Sequence, residues 1–567
     1  MEDVIMKNSW IIIASLLGLL VACNKEIQIE APEDEPVVVT YIKADANEDA
    51  TTRGSVDGTT AAFTWNTGDK IAVYAGDYKI SDGLESTYNG TNAATFAFSG
   101  SNAVTESNRA NFAIFPASLV WDGTSIRSGS VSDYTSSSLK LTLPASYTLA
   151  QVQDDVSPTP MIATNAANGD LAFKALCPLL RVTVVNIPKQ TKRIEFDFNG
   201  KKVQGEFTLT DVVPENTAIE TSTADGTNDI ITVTMEDNTT WHDNLVINLP
   251  VPTGTYGNIT ITAYDATSGG HAVLTLTKPI KSTGWTPTRK SSRKMTATLP
   301  VFSVGADTKV VFAPGNLQAV FAEDGSSCTW QFATNQYDYI GGRSNGGSET
   351  QTGNNFINGS GSVSAAGTVD LFGWNGTNAA NDNYGIHSST DYQVYGNSAS
   401  DNLKNDWGHN AIGSYAANTW RTLTGGSSGE WKYLLDTRDN AISKVGYATV
   451  GGVTGIIILP DDFTDPNKNN GSDAFKPKAT TGFTANVYTS GGNWEAMEAA
   501  GAVFLPAAGY RYGTDVYSVG SHGRYWSSTA SNAGDACLLY FGSSDVSPAD
   551  DYDRCRGYSV RLVQNLN

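Results

Sequence analysis

Before about residue 300 the chain consists of short apolar runs that are interrupted by Gly, Pro and Asn. Two examples are "AAFTWNTGDKIAVYAG" at 61–76 and "LAFKALCPLLRVTVV" at 171–185. Runs of about five to seven residues with this punctuation predict short strands joined by turns. No helical periodicity of convincing length accompanies them. Because 567 residues are too many for one hydrophobic core, the sequence predicts several domains that are mostly β-sandwiches.

An apolar segment near the N-terminus, "MKNSWIIIASLLGLLVAC", begins at Met6 and ends at Cys23. It is short for a bilayer span and predicts a signal peptide over 1–22. "LVAC" at 20–23 resembles the lipobox of bacterial lipoproteins, which implies cleavage before Cys23 and lipidation of its thiol. The alternative is a simple secretory signal followed by an incidental cysteine. With an acidic tether at 23–36, the resemblance implies a cell-surface lipoprotein attached to the outer membrane through its lipid.

The charge of the chain limits its partners. A formal net charge of -21 argues against nucleic-acid binding, because a phosphate-binding surface needs clustered Lys and Arg. The basic run "RKSSRK" at 289–294 is interpreted as part of a solvated linker over 284–300. No nucleic-acid partner is therefore predicted.

The spacing of cysteine and histidine indicates neither a cofactor nor a metal site. Beyond Cys23, the four cysteines are widely separated and the five histidines are scattered. Cys177 lies in an apolar run and is predicted to be a buried small hydrophobe. Two alternatives stay open for Cys537 and Cys555, which could form a disulfide in an oxidising compartment or be independent surface thiols. Whether calcium binds is also left open.

Several motifs in the first part of the chain follow one another in a family-like order. They are "FTWNTGDKIAVY", "LP" followed by Tyr147, "LAFKALCPLLRVTV" and "LPVPTGTYGNITITAYD". In this order they resemble the fimbrillin family of lipoprotein pilus subunits. The resemblance implies two stacked fimbrillin-like β-sandwich subdomains, at 37–175 and 176–283.

The fimbrillin resemblance also implies a role for Arg53. In such proteins, cleavage after an Arg ahead of the sandwich can remove the first strand and open a groove for a strand of another pilus subunit. Arg53 follows the strand-like "VVVTYIKA" and lies in the polar "DATTRGSVDG". The alternative is an ordinary Arg in a turn.

Residues 301–567 carry other motifs, among them "APGNLQ", "WQFATNQYDYIG", "FLPAAGYR", "YWSST" and the closing "RGYSVRLV". They resemble the C-type-lectin-like domains of bacterial surface proteins. These domains share a fold with formylglycine-generating enzymes and with the variable proteins of diversity-generating retroelements, so the resemblance implies an α+β domain. Helical spacing predicts helices at 428–441, behind a Ser cap, and at 491–501, capped by Asn493. The run at 450–460 predicts a buried strand.

No enzyme activity carries over with this resemblance. Cys537 and Cys555 are too far apart to match the closely spaced cysteines of formylglycine-generating enzymes. The Glu-Pro-Asn and Trp-Asn-Asp clusters of calcium-dependent sugar lectins have "DPN" at 465–467 as their nearest counterpart. No carboxylate pair stands out as it would in a glycosidase. The sequence predicts a protein that is not an enzyme, without catalytic residues.

The tail from Pro506 to Val563 contains no Lys, Glu, Gln or Met. Randomised adenines in the codons of retroelement-diversified proteins never yield these residues, so the composition resembles that of a diversified segment. The alternative is a fixed lectin-like surface with turn-forming Asp and Ser. In both cases a packed frame is predicted to hold an exposed binding face, with Arg554 and Arg561 in structural roles. The frame residues are Trp526, Phe541, Val546, Val560 and Leu562.

The exposed face of the tail is predicted to bind an unknown protein or glycan. Tyr offers rigid amphipathic area at low entropic cost, as it does in antibody loops. The sequence therefore predicts a surface adhesin, possessing a fimbrillin-like stalk and a lectin-like head at a pilus tip. The alternatives are a structural pilus subunit with a C-terminal cap and, more distantly, a formylglycine-generating-like enzyme. The candidate contacts are Tyr512, Asp515, Tyr517, His522, Arg524, Asp535, Tyr540, Asp545, Asp550, Asp551, Tyr552, Asp553, Arg556 and Tyr558.

Overall fold

The computed structural model of the chain is mostly β. Cys23 and Arg53, for which lipidation and cleavage are predicted, lie outside the described residues. Within the part of the chain that is described, no helix is long and apolar enough to cross a membrane. The structure describes residues 27–28, 38–45, 69–75, 78–85, 93–99, 112–119, 139–154, 158–165, 171–209, 217–235, 244–289, 291–322, 327–342, 354, 367–374, 390 and 406–566.

The first ten strands form one large sheet and supply two strands to neighbouring sheets. The large sheet has the order β1-β2-β10-β9-β6-β3-β4, with β5 paired to β2. Ile114 and Ile162 of this sheet share a core with Leu141 of β7, so β7 covers one of its faces. The strands are β1 (Ile27–Gln28), β2 (Val38–Asp45), β3 (Lys70–Ala75), β4 (Tyr78–Glu85), β5 (Ala93–Ser99), β6 (Phe112–Phe115), β7 (Leu139–Leu143), β8 (Ser146–Thr148), β9 (Met161–Asn165) and β10 (Leu171–Ala175).

The next eight strands build two sheets around one core. One sheet has the order β15-β11-β18 and the other β17-β16-β12-β14-β8, while β13 pairs with β7. Burial alternates along β11 and β16, and Val182 and Ile261 belong to the same core, as expected for two sheets packed face to face. The strands are β11 (Leu179–Val185), β12 (Arg193–Asp197), β13 (Gly205–Leu209), β14 (Ile230–Thr234), β15 (Asn244–Pro250), β16 (Asn258–Tyr264), β17 (Ala272–Pro279) and β18 (Ser292–Thr298).

The solvated linker predicted at 284–300 is wrong. β18 occupies most of this segment and pairs in parallel with β11 over its seven residues. Arg289 of the basic run is buried, and its Nη1 donates to the Ala175 carbonyl at 2.9 Å. Met295 and Ala297 are buried in the shared core, whereas Ser292, Lys294 and Thr296 alternate with them and are exposed. The basic side chains make the segment read as a polar linker in the sequence, although it is a strand with one apolar face.

The predicted boundary between residues 175 and 176 is not a clean division either. β8 precedes this boundary, yet it pairs in parallel with β14. β7 also precedes it and pairs along its length with β13. Strands on the two sides of the boundary therefore complete each other's sheets.

The residues from 301 onward, which we call the last region, contain sixteen strands in five small sheets within their described parts. Their orders are β19-β20-β34-β24, β22-β21-β23, β27-β25-β26-β28, β29-β30 and β31-β32-β33. The buried strand predicted at 450–460 is confirmed as β26, in which Ile456–Ile458 are buried. The strands are β19 (Phe302–Ser303), β20 (Lys309–Phe312), β21 (Leu317–Phe321), β22 (Cys328–Phe332), β23 (Gly367–Val369), β24 (Arg421–Thr422), β25 (Val445–Val450), β26 (Val453–Ile458), β27 (Asn486–Tyr488), β28 (Val503–Pro506), β29 (Tyr510–Tyr512), β30 (Asp515–Tyr517), β31 (Gly523–Ala530), β32 (Asp535–Phe541), β33 (Val546–Asp553) and β34 (Leu562–Asn565).

Helices in the described residues are short. Trp431, Leu434 and Leu435, which lie at helical spacing in the helix predicted at 428–441, are all fully buried. The α-helices are α1 (Leu149–Val152), α2 (Glu430–Lys432), which continues as a π-helical turn at Tyr433–Thr437, and α3 (Asn493–Ala499). Single 3-10 turns occupy Ala117–Leu119, Trp407–His409, Ala441–Lys444 and Gly471–Asp473.

Both predicted helix caps are wrong. At α2 the amide of Glu430 donates to the Thr424 hydroxyl at 3.0 Å. Thr424, from the preceding turn, therefore caps the helix in place of the expected Ser. At α3 the N-cap is Gly492, and Asn493 is the first helical residue. Asn493 Oδ1 instead accepts the amide of Thr489 at 2.7 Å. Its side chain therefore closes the turn before the helix.

The last region is joined to the β11–β18 sheets by shared packing. Val301, Val311 and Leu566 are buried in the same core as Val182. The Lys189 amide donates to the Leu566 carbonyl at 3.1 Å, immediately after β34 ends. The last region consequently has part of its apolar surface covered by the preceding one.

A polar contact adds to this joint. The His271 ring lies 4.1 Å from the Tyr415 ring, and His271 Nε2 lies 2.9 Å from Ser414 Oγ. A second polar contact joins the same two parts of the chain: Lys309 Nζ of β20 donates to Asn186 Oδ1, just after β11, at 3.0 Å. Apolar and polar contacts therefore both fix the last region against the β11–β18 sheets.

The cysteines differ from both alternatives that the sequence left open. Cys537 and Cys555 are unpaired and buried, so they form no disulfide and are not surface thiols. Burial raises the pKa of each thiol to about 11, which keeps both protonated near neutral pH. Cys177 is fully buried among apolar side chains, as predicted.

We expect Asp370, a buried carboxyl in the loop after β23, to make the protein less stable as the pH rises. Burial raises its pKa from 3.8 to about 6, against hydrogen bonds from Asn354 Nδ2 at 2.7 Å and the Ile340 amide at 2.8 Å. Between these two pH values the native state binds more protons than the unfolded state. The free energy of unfolding should therefore fall by about 3 kcal/mol across this window as the pH rises.

The measurement is urea unfolding of the protein and of Asp370→Asn at about pH 4 and about pH 7. The variant cannot ionise at this position and should lose that part of the pH dependence. An unchanged difference between the two pH values in Asp370→Asn would assign the dependence to other groups.

Candidate ligand-binding face

Elements of the tail meet on one side of the last region. β29 and β30 form a hairpin in which Tyr510 is opposite Tyr517 and Tyr512 is opposite Asp515. Alternation along β29 places Tyr510 and Tyr512 on the same side of the hairpin. The Tyr510 and Tyr517 rings stack with centroids 5.5 Å apart.

The segment after β33 returns to this hairpin. Gly557 and Arg511 exchange two backbone hydrogen bonds of 2.8 Å, which attach the segment to β29. In the antiparallel sheet β31-β32-β33, Arg524 is opposite Tyr540, and Tyr552 lies farther along on β33. The hairpin, the sheet and the returning segment thus bring Arg and Tyr side chains together.

Arg524 is surrounded by tyrosine rings. Its Cζ lies 4.3 Å from the ring centroid of Tyr510, 5.4 Å from that of Tyr540 and 5.5 Å from those of Tyr552 and Tyr558. Nη1 donates to Tyr558 Oη at 3.4 Å. Cation–π contacts of this length contribute about 0.5–1 kcal/mol each at exposed sites. The rings therefore hold the guanidinium in one position.

Arg556 makes a second set of contacts with the same rings. Its Cζ lies 4.4 Å from the ring of Tyr552, 4.7 Å from that of Tyr512 and 5.3 Å from that of Tyr510. Its Nε also forms an ion pair with Asp553 Oδ2 at 3.3 Å. Tyr510 and Tyr552 contact both arginines and connect the two sets. We call the whole group the Arg–Tyr cluster; its members are Arg524, Arg556, Tyr510, Tyr512, Tyr540, Tyr552 and Tyr558.

Exposure varies strongly across the Arg–Tyr cluster. Tyr552 is 40% exposed, and most other members are half-buried. Tyr558 is fully buried, with its ring 4.3 Å from that of Trp526. Its prediction as a ligand contact is therefore corrected, because a fully buried ring supports the face from beneath and does not meet a ligand from solution.

Tyr510 was missed as a candidate although it contacts both arginines. It lies in "FLPAAGYR", which was interpreted only as one of the motifs of the C-type-lectin-like resemblance. The signal that could have found it is the aromatic spacing of "YRY", since residues two apart in a strand lie on one face.

Besides Asp553, which pairs with Arg556, three more of the predicted aspartates lie near the Arg–Tyr cluster. Tyr540 has its pKa raised by burial and by the negative charges of Asp545 and Asp550, whereas Arg524 opposes the shift. Burial and then Asp515 raise the pKa of Tyr517. We call Asp515, Asp545 and Asp550 the acidic rim.

Other predicted contacts are only partly brought to this face. Asp535 accepts from Asn532 Nδ2 at 2.8 Å and Asp551 accepts from the Ser531 hydroxyl, so both carboxylates order the loop between β31 and β32. The His522 ring stacks on Tyr540 at 5.6 Å. Burial, followed by the charge of Arg524, lowers the pKa of His522, so its ring is neutral at pH 7.

Most of the predicted frame residues are buried. Trp526, Phe541, Val560 and Leu562 are essentially inaccessible, while Val546 is half-buried. Trp526 Nε1 donates to the Phe372 carbonyl at 2.6 Å, which satisfies its polar atom. Closely packed, buried side chains therefore lie beneath the face and support it.

The two arginines predicted to be structural are fully buried. Arg554 lies 4.3 Å from the Trp374 ring and its Nη2 donates to the Asn532 carbonyl at 2.6 Å. Arg561 Nη2 donates to Gln336 Oε1 at 2.9 Å, and burial lowers the pKa of Arg561 to about 10. Neither side chain can reach a ligand in solution. In the described part of the chain, no group of His, Cys, Asp or Glu is arranged to hold a metal ion.

Comparison with known proteins gives low-identity similarities. A family model described as "Domain of unknown function (DUF8237)" matches residues 487–563, which include the whole Arg–Tyr cluster. None of the curated proteins matches the chain. Among solved structures, a candidate cell adhesion protein from Bacteroides uniformis is 13% identical, with 46% of this chain and 92% of that chain covered and a TM-score of 0.25.

Two fimbrial proteins are similar at the same level. A fimbrial protein from Bacteroides ovatus is 12% identical, with 92% of this chain and 98% of that chain covered and a TM-score of 0.19. The tip fimbrial protein Mfa3 from Porphyromonas gingivalis, with a C-terminal truncation, is 12% identical, with 43% and 81% covered and a TM-score of 0.18. The chain is thus similar, at low identity, to adhesion and fimbrial proteins.

Proposed function

We propose that the chain is a cell-surface adhesin whose lectin-like head binds a protein or glycan ligand through the Arg–Tyr cluster. The fimbrillin-like sandwiches form the stalk of this adhesin, and the head belongs at the tip of a pilus. The observation that carries the proposal is the convergence of two arginines and five tyrosines on one partly exposed face. Tyr and Arg dominate the binding energy of many interfaces, because they combine large contact area with hydrogen-bonding groups.

The division between support and face favours binding over a purely structural role. Trp526 and the Tyr558 ring of the cluster are fully buried, whereas Tyr552 of the same cluster is 40% exposed. Side chains on top of such a support can differ without loss of the fold. We therefore include in the proposal that the face is diversified by a retroelement. A neighbouring reverse transcriptase gene with a near-copy of the tail would support this part, and its absence from the genome would remove it.

We expect the double variant Tyr512→Ala/Tyr552→Ala to lose binding while its melting temperature stays nearly unchanged. Each truncation removes ring area at the exposed part of the face and should weaken binding about tenfold or more. Binding of the full chain to glycan and protein arrays gives the first quantity, and thermal unfolding gives the second. Tyr433→Ala is a matched control, because Tyr433 is a half-buried tyrosine outside the cluster.

Two results would count against this proposal. Unfolding of the double variant would mean that Tyr512 and Tyr552 are core residues and that the ligand-binding face lies elsewhere. Unchanged stability together with unchanged binding would favour the structural pilus subunit, in which the last region serves as a cap.

We further propose that Cys23 is lipidated and anchors the chain in the outer membrane. A multiply acylated cysteine anchors stably, whereas one acyl chain binds a membrane only marginally. Cys23→Ser should therefore move the protein from the membrane fraction to the soluble fraction, as measured by immunoblotting. A fully membrane-bound variant would contradict the lipobox assignment.

Mass spectrometry of the same surface material tests whether cleavage after Arg53 precedes assembly with other pilus subunits. Polymerised protein that begins at Gly54 would support a groove opened for strand addition. An intact N-terminus at Cys23 in the polymer would exclude it.

A further inference from the structure

We infer that the ligand is an acidic sugar whose carboxylate is bound by Arg524; the inference rests on the function proposed above. The observation behind it is the pairing of arginines in the last region. Arg421 binds both carboxylate oxygens of Glu430, at 2.7 and 2.6 Å. Arg438 lies 2.9 Å from an Asp461 oxygen. Both of these arginines are therefore paired with a carboxylate.

Arg524 departs from this pattern. Among the described residues, no carboxylate lies within ion-pairing distance of its guanidinium, although its neighbour Arg556 is paired with Asp553. Its hydrogen bond to Tyr558 Oη is long at 3.4 Å and uses one of five N–H donors. The side chain is half-buried, so water reaches part of it. The remaining donors are available to a group that enters from solution.

A carboxylate suits these donors better than a neutral group does. The planar guanidinium can donate two parallel hydrogen bonds to a carboxylate, and charge-assisted bonds of this kind are about twice as strong as neutral ones. The rings of Tyr510, Tyr540 and Tyr552 already hold the guanidinium in place. Less conformational entropy is then lost when the ligand binds.

The surroundings of Arg524 favour a sugar over an acidic peptide. The acidic rim of Asp515, Asp545 and Asp550 and the net charge of -21 repel additional negative charges on a ligand. A single carboxylate flanked by hydroxyl groups avoids this repulsion, because hydroxyl groups can donate to the rim carboxylates. Tyr552, which is 40% exposed, offers ring surface for the apolar side of a pyranose.

The test is isothermal titration of the full chain with glucuronate and with its uncharged counterpart glucuronamide. We expect glucuronate to bind at least about tenfold more tightly, and Arg524→Gln to abolish this preference. Arg524→Lys should keep part of the preference, because it retains the charge without the planar fork. Lys468→Gln is the control, since it removes one exposed positive charge outside the cluster.

Equal affinity for the two sugars, no binding of either, or a preference that survives in Arg524→Gln would overturn the inference. Tighter binding of a short oligoglutamate peptide than of glucuronate would assign the site to acidic peptides and overturn the inference that the ligand is a sugar. A competition assay separates this inference from the function on which it rests. If Tyr552→Ala abolishes binding to an array ligand that glucuronate does not displace, the binding face is supported and the acidic sugar is not.

Discussion

We expect Trp526→Ala to lower the free energy of unfolding of the last region by about 3–5 kcal/mol, the range for truncation of a buried aromatic side chain. The ring is fully buried and lies against Tyr558, so its removal leaves a cavity beneath the Arg–Tyr cluster. The substitution also removes the 2.6 Å hydrogen bond from Trp526 Nε1 to the Phe372 carbonyl, which keeps the Tyr558 amide as its donor at 2.9 Å. Loss of this one hydrogen bond adds a smaller cost to that of the cavity.

Urea unfolding followed by tyrosine and tryptophan fluorescence measures this effect. Trp526→Phe is the conservative comparison, because it keeps an aromatic ring and removes the indole N–H. It should destabilise the protein less than Trp526→Ala does. A change below about 1 kcal/mol for Trp526→Ala would show that the site collapses around the missing ring and that Trp526 is not the support of the face.

The second large effect concerns the last region in isolation. We expect a fragment of residues 301–567 to be less stable by about 5 kcal/mol than the same residues in the full chain. Excision exposes Val301, Val311 and Leu566, which are buried in the core of the β11–β18 sheets. Each buried aliphatic side chain of this size contributes about 1.5–3 kcal/mol. Total stabilities are typically about 5–15 kcal/mol, so the fragment should be marginal.

Amide hydrogen exchange along β20 and β34 measures this loss in the fragment and in the full chain. Protection of the amides from exchange should fall in the fragment, because both strands end next to the surface that excision exposes. Leu566→Ser gives a matched comparison. It should make the fragment more soluble and the full chain less stable. Equal protection in the two contexts would show that the last region folds independently, and the ligand-binding experiments could then use the fragment.

The sequence predicts strands well where periodicity is local. In β11 and β16 every second residue is apolar, and the burial alternates as this pattern indicates. β18 was not predicted because its outward residues are Ser292, Lys294 and Thr296, and because only Met295 and Ala297 of its residues are buried. A strand of this kind is recognised by its partner, β11, which lies more than a hundred residues earlier. The local sequence of β18 therefore cannot predict that pairing.

The same reasoning explains the candidate site. Arg524, Tyr540 and Tyr552 were found because they lie in a tail whose composition is unusual. Tyr558 was placed on the face, although the chain that follows β33 turns its ring inward onto Trp526. Tyr510 was overlooked because its contact with Arg524 joins two elements that are not neighbours in a sheet. Composition identified the segment, whereas the direction of each ring depends on the path of the chain.

The parallel pairing of β18 with β11 has a mechanical consequence. If the chain is anchored and binds its ligand as proposed, a pull on the last region would load β18 at its C-terminal end and β11 at its N-terminal end. Opposite ends of two adjacent parallel strands are then loaded, so the force acts along the strands. Hydrogen bonds across all seven paired residues share such a load and must break together. Peeling would break the same hydrogen bonds one at a time, so this pairing resists a pull along the strands better than a pull across them.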